Sequence, residues 1–231
     1  MYNGVSAALL WSSEKQAYVG VLTVVDFIRA LCHQYNEGGP VLDEQCVDSW
    51  LELDKEKNRM VSIGPEEPLA RATSLLLASR IRRLPVCEPS TGNILCTIAM
   101  KHIARLIIAN IQSLLKPQSW FHSLQDVGIG TYANVITITP QTTLIAALQL
   151  LIDKHISALP VISSVDERLI GIFSRTDAVQ LAYDKAYMNL NRSVSDIMPN
   201  LTENGTKSSS IGNVQVCTMD ETLGTVSFYI K

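Results

Sequence analysis

A phrase in this chain recurs at fixed spacing, and such a repeat constrains the fold more than any single residue can. Arg83-Leu84-Pro85-Val86 matches Ala158-Leu159-Pro160-Val161. Pro65 and Pro140 each lie 20 residues before the repeated proline, and His102 and Asp177 each lie 17 residues after it. A weaker copy stands at the front, where Ala8-Leu9-Leu10 replaces Leu-Pro-Val and Asp26 falls 17 residues beyond Leu9. A repeat of this size is one supersecondary unit that buries its apolar face against a neighbour.

Each copy reads as β-α-β-β-α. In the second, the spacing predicts a strand over 60–63, broken by Gly64-Pro65, and a helix over 68–79 with Leu69, Ala72, Leu76 and Leu77 on one face. A strand over 83–87, a breaker-rich turn over 88–93, a strand over 94–98 and a helix over 101–111 complete it. The third copy gives 135–139, 144–155, 159–163, 169–173 and 177–186. The first holds only the last three elements. A fourth begins at 216–219, with Leu223 falling where Leu69 and Leu144 fall. The expected organisation is therefore a partial repeat 1 (1–32), a linker (33–58) with a short helix near Trp50, repeat 2 (59–112), a linker (113–133), repeat 3 (134–187), a flexible loop (188–213) and the start of repeat 4 (214–231).

Composition narrows the function. A chain 47% hydrophobic and 18% charged is globular rather than disordered. A net charge of −3 offers no general attraction to nucleic acid or anionic membrane, and the patch Arg80-Ile81-Arg82-Arg83 lacks interleaved aromatics. No apolar run approaches the roughly 18 residues of a membrane span, and Met1-Tyr2-Asn3-Gly4 does not open a signal peptide. Five scattered cysteines form no C-x-x-C pair, so neither zinc nor a disulfide framework is expected and a reducing cytosol fits. His33, His102, His122 and His155 lack metal spacing, and no nucleophile–base set stands out. The expectation is a non-enzyme with no catalytic cofactor.

The polar chemistry lies at the helix starts. Gly20-Val21-Leu22-Thr23-Val24-Val25-Asp26 and Gly171-Ile172-Phe173-Ser174-Arg175-Thr176-Asp177 share one phrase. A carboxylate here can accept both vicinal hydroxyls of a ribose, each such bond contributing roughly 1.5–3 kcal/mol. Thr23 and Ser174 stand near amides able to hold phosphate. The same residues also fit a capping box, which stabilises a helix by about 0.5–2 kcal/mol without any ligand. In copy two, Ala99-Met100-Lys101-His102 reads as neither a good cap nor a ribose acid. There Arg82, Arg83 and Lys101 supply cations for phosphate, or complement a helix end.

A β-α-β-β-α unit with Leu-Pro-Val on its middle strand and G-x-[ILF]-[ST]-x-x-D leading into its last helix resembles a cystathionine-β-synthase (CBS) domain. Trp11, Thr23 to Ile28, Ile129-Gly130-Thr131-Tyr132-Ala133-Asn134, Ser157 to Val161 and Glu221-Thr222-Leu223 are similar to the gamma regulatory subunits of AMP-activated protein kinase. The resemblance implies an α/β (α+β) fold of tandem CBS domains pairing into Bateman-type modules. It implies a non-catalytic energy sensor that binds AMP, ADP or ATP, sits in a heterotrimer with a kinase alpha subunit and a scaffold beta subunit, and is cytoplasmic or also nuclear. The implied nucleotide-binding residues are Leu22, Thr23, Val24, Val25, Asp26, Val61, Arg82, Arg83, Lys101, Thr131, Ile136, Ile156, Ser157, Ser174, Arg175, Thr176 and Asp177. The chain departs from that family at Ser6 and His155, which replace arginines, and at Arg82, which replaces a histidine. A CBS scaffold or interaction subunit that has lost nucleotide response, or a truncated isoform, is the alternative.

Overall fold

The computed structural model describes residues 7–38, 44–52, 60–79, 81–183, 186–198 and 216–227. These divide into two compact units, one drawn from 1–59 and 134–214, the other from 60–133 and 215–231. Repeat 1 thus shares a unit with repeat 3, and repeat 2 with the start of repeat 4.

In the first unit, strands β1 (Ala7–Ser12) and β2 (Ala17–Thr23) form an antiparallel hairpin that runs into helix α1 (Val24–Glu37). A short helix α2 (Val47–Glu52) follows, at the position expected around Trp50. Helix α1 is amphipathic, with Val24, Phe27, Ile28 and Leu31 buried at helical spacing.

That face packs on repeat 3, which supplies helix α6 (Leu144–Asp153), strands β5 (Ala158–Ile162) and β6 (Leu169–Ser174), and helix α7 (Arg175–Tyr183). Leu144, Leu148, Leu151, Leu159, Val161 and Phe173 are fully enclosed in the same core. Polar contacts fix the register of the two repeats: Tyr35 Oη donates to Asn191 Oδ1 at 2.6 Å, and Gln149 Nε2 to Asn36 Oδ1 at 3.2 Å. The segment after α7 folds back on the start of α6. Leu144 N–H donates to the Arg192 carbonyl at 2.9 Å and Val194 N–H to the Thr142 carbonyl at 2.9 Å, so Leu190 and Val194 lie in the core. A helical turn, here α8 (Val194–Ile197), thus occupies part of the stretch expected to be a flexible loop, and 199–213 lie outside the described residues.

The second unit contains helix α3 (Leu69–Ala78), strands β3 (Arg83–Cys87) and β4 (Ile94–Ala99), and helix α4 (Met100–Ala109). Ile63, Ala72, Leu76, Leu84, Val86 and Ile103 form its small core. Helix α5 (Leu124–Val127) docks on repeat 4, with Leu124 N–H donating to the Glu221 carbonyl at 3.0 Å and Leu223 N–H to the His122 carbonyl at 3.1 Å. Helix α9 (Leu223–Ser227) opens there, and Gly224 leaves room for the Trp120 indole: a Cβ at Gly224 would stand 2.5 Å from Trp120 Nε1.

The strands expected over 60–63 and 135–139 are reduced to one parallel bridge each. Ile63 exchanges bonds with Pro85 and Cys87 at 3.0 and 2.8 Å, and Ile138 with Pro160 and Ile162 at 2.9 and 2.9 Å. Gly64-Pro65 and Pro140 turn the chain away, and proline has no N–H to extend a ladder.

Candidate functional site

Three helices, α1, α4 and α7, start directly from the end of a hairpin strand. In repeat 1, Thr23 donates both its N–H and its hydroxyl to Asp26 Oδ2, each at 2.7 Å. Repeat 3 does the same: the Ser174 N–H and hydroxyl reach Asp177 Oδ2 at 2.6 and 2.8 Å. The chain folds so because a helix start leaves N–H groups unmet, and an acid three residues on can meet one of them.

The two acids differ in access. Asp26 is 1% exposed, enclosed by the core of its unit. Asp177 is half-buried, and Oδ1 makes no hydrogen bond among the described residues. A ligand hydroxyl can therefore reach Asp177 without displacing the cap, whereas Asp26 has its cap bonds and almost no surface.

Repeat 2 corrects the sequence reading. His102 Nδ1 accepts the Ala99 N–H at 3.3 Å, so an imidazole fills the acceptor place that carboxylates hold in repeats 1 and 3. A neutral ring nitrogen accepts as a carboxylate oxygen does. The signal was available: His102 falls in register with Asp177. The hairpins show a matching exchange. Ala7 faces Thr23 and Ala158 faces Ser174, but Arg83 faces Ala99. Where the first unit places hydroxyl and acid, the second places the half-buried Arg83 beside exposed Arg82, Lys101 and His102.

The structure brings Ser157, Ser174, Arg175 and Asp177 together at one end of the β5–β6 hairpin. Arg175 N–H donates to the Ser157 carbonyl at 3.0 Å, and Ser157 remains exposed. The Arg175 guanidinium turns inward, Nη2 reaching the Leu151 carbonyl at 3.3 Å near the C-terminus of α6. That contact complements the helix dipole. Thr176 is exposed next to this cluster, while Ile136 and Ile156 are half-buried against the core. In repeat 1, Val24 is a core residue, and Leu22 and Val25 are half-buried. Thr131 is exposed in the second unit, and Val61 packs against that unit's core. His155 adopts φ +54°, the left-handed region, at the turn between α6 and β5.

A CBS domain family model matches residues 56–109 and 129–184. Those two segments are CBS domains in tandem. The chain is 33% identical over 202 residues to the human 5'-AMP-activated protein kinase subunit gamma-3, covering 85% of the chain and 41% of that protein. It is 33% identical over 231 residues to the same subunit of Bos taurus, covering 97% of the chain and 45% of that protein. It therefore spans less than half the length of these curated relatives.

Among solved structures it resembles a Methanocaldococcus jannaschii protein proposed as an archaeal homolog of g-AMPK, at TM-score 0.63 and 14% identity over 98% of this chain and 77% of that one. A conserved protein from Pyrococcus horikoshii superposes at TM-score 0.50 and 22% identity over 97% of this chain and 77% of that one. At those identities the likeness is one of fold. The resemblance to AMP-activated kinase gamma subunits and the tandem CBS architecture, both expected from the sequence, hold.

Proposed function

We propose that this chain is a non-catalytic regulatory module that binds an adenine nucleotide (AMP, ADP or ATP) at the start of α7, in the manner of AMP-activated kinase gamma subunits. The observation that carries the reading is Asp177: its cap uses Oδ2, and Oδ1 stays open for a ribose hydroxyl beside Ser157 and Thr176. Each bond of a hydroxyl to this charged oxygen would contribute roughly 1.5–3 kcal/mol. Ser174 and the α7 amides offer phosphate donors. In the second unit, Arg82, Arg83 and Lys101 offer cations for phosphate. The gamma-3 relatives support assembly with a kinase alpha subunit and a beta scaffold, through which bound nucleotide would regulate a Ser/Thr kinase.

Calorimetric titration of AMP, with wild type, Asp177→Ala and Asp26→Ala compared, tests the site. Binding should vanish in Asp177→Ala and survive in Asp26→Ala wherever the latter remains folded. Absence of binding by a folded wild-type chain would favour the second reading, a CBS scaffold. Three features favour that reading: the enclosed Asp26, the Arg175 guanidinium held at the α6 terminus, and His155 in place of a cation of fixed charge.

A further inference from the structure

Repeats 1 and 3 start their last helix on a carboxylate, whereas repeat 2 starts α4 on an imidazole. Asp26 and Asp177 accept the cap N–H at 2.7 and 2.6 Å, and each takes a second bond from the cap hydroxyl. In repeat 2 the cap residue is Ala99, which brings no hydroxyl, and its N–H donates to His102 Nδ1 at 3.3 Å. Among the described residues, His102 is the side chain that supports this helix start.

The difference decides how each start answers to protons. To accept, Nδ1 must carry no hydrogen, so the neutral ring holds its proton on Nε2. Carboxylates ordinarily titrate near pH 4 and remain acceptors from about pH 5 to 8. An imidazole takes up its proton inside that interval, and both nitrogens of the cation are donors. A protonated His102 then meets the Ala99 N–H donor to donor, with its charge at the positive end of the α4 dipole.

The neighbouring charges do not compensate. Arg83 on β3 stands opposite Ala99 across the hairpin. Lys101 and Arg105 share α4 with the ring, and Arg82 precedes β3. Strand β4 carries no charged residue, and the charged residue of α3 is Arg71, paired with Glu67 at 2.9 Å. Among the described residues of these elements and their flanks, the carboxylates are Glu66, Glu67 and Glu88. They belong to the far end of the hairpin. Glu88 accepts the Thr91 hydroxyl at 2.7 Å in the turn, and a Cβ at Gly64 would touch both Glu67 and Pro89 there. That turn is five strand residues from Ala99, roughly 16 Å away.

We propose that His102 makes the start of α4 a proton-sensitive switch. The first turn is capped while the ring is neutral and opens as the ring takes a proton between about pH 8 and 5, while the carboxylate-capped starts of α1 and α7 hold. Lys101 lies in that turn, so acid also loosens a cation that the nucleotide reading assigns to phosphate; the switch itself does not rest on that reading.

NMR of the whole chain, titrated from about pH 8 to 5 without ligand, tests this. The His102 ring, assigned by its loss in His102→Gln, should be protonated on Nε2 alone at the neutral end. The Ala99 amide should shift with the midpoint of that ring, and its protection from hydrogen exchange should fall at least about threefold, as loss of a cap predicts. The Thr23 and Ser174 amides should keep theirs. His102→Asp restores the carboxylate of repeats 1 and 3, and His102→Gln keeps an acceptor that does not titrate; both should abolish the Ala99 response. His102 is exposed, and the two variants back each other if one misfolds. A neutral ring with its hydrogen on Nδ1 would overturn the proposal. So would an Ala99 amide whose protection ignores pH, or one that responds undiminished in both variants.

Discussion

Replacing Asp26 by alanine should destabilise the first unit more than the same change at Asp177, although both acids cap a helix with the same geometry. At Asp26 the lost acceptor takes two 2.7 Å bonds from Thr23, inside an environment where the acid is 1% exposed. Water cannot readily replace it, so the cost adds a partly buried unmet donor, about 1–3 kcal/mol, to a lost cap of about 0.5–2 kcal/mol. A total of about 1.5–5 kcal/mol is expected. At the half-buried Asp177 water can reach the freed Ser174 groups, leaving the cap term of about 0.5–2 kcal/mol. Asp26→Asn, which keeps an acceptor oxygen, should fall between wild type and Asp26→Ala. Two units need not unfold in one transition, so the readout should be local. Hydrogen exchange of the α1 and α7 amides, with urea titrations alongside, supplies it. The reasoning fails if Asp26→Ala changes stability by less than about 0.5 kcal/mol, or if Asp177→Ala costs more than Asp26→Ala.

Three further outcomes follow from the packing. Leu148→Ala removes a fully enclosed side chain from the core of the first unit and should cost about 2–5 kcal/mol in denaturant unfolding. Gly224→Ala forces Trp120 off α9, since the new Cβ would lie 2.5 Å from Nε1, and should speed amide exchange at Leu124 and Leu223. Burial, aided by the charge of Asp153, pushes the Cys32 thiol up to about 11, so alkylation should modify exposed Cys46, Cys96 and Cys217 well before it. The same shift sets a pH dependence. The unfolded chain releases this proton near 9.0 and the folded chain near 11, so its contribution to stability is constant below about pH 9 and lost as pH rises toward 11. A urea midpoint that falls over that interval in wild type, and less in Cys32→Ala, is the expected result.

Much of the fold was legible because the repeat reports its own register. The strand over 83–87 lies where the spacing puts it, as do the starts of the strands at 94 and 169 and of the helix at 144. The strands expected over 60–63 and 135–139 are single bridges, because an apolar run such as Met60-Val61-Ser62-Ile63 does not reveal that the following proline ends its pairing. Residue type hides the role of His102, which its register with Asp177 reveals. In the Ala99 cap, geometry makes a ring nitrogen equivalent to a carboxylate oxygen.

By itself, the sequence determined the repeat, the order of elements within it, the acid-bearing helix starts at Asp26 and Asp177, and the cationic start at Arg83 and Lys101. These are local properties, set by periodicity and by which side chains can meet nearby amides. Only the tertiary structure decided which repeats share a core, and with it the fate of identical motifs. Thr23-x-x-Asp26 and Ser174-x-x-Asp177 have the same bonds, yet one acid is enclosed and the other keeps an open oxygen. Leu31 and Ile107 occupy one register position, yet Leu31 is enclosed in the core of its unit and Ile107 is exposed. Burial depends on neighbours distant in sequence, and no local pattern encodes it.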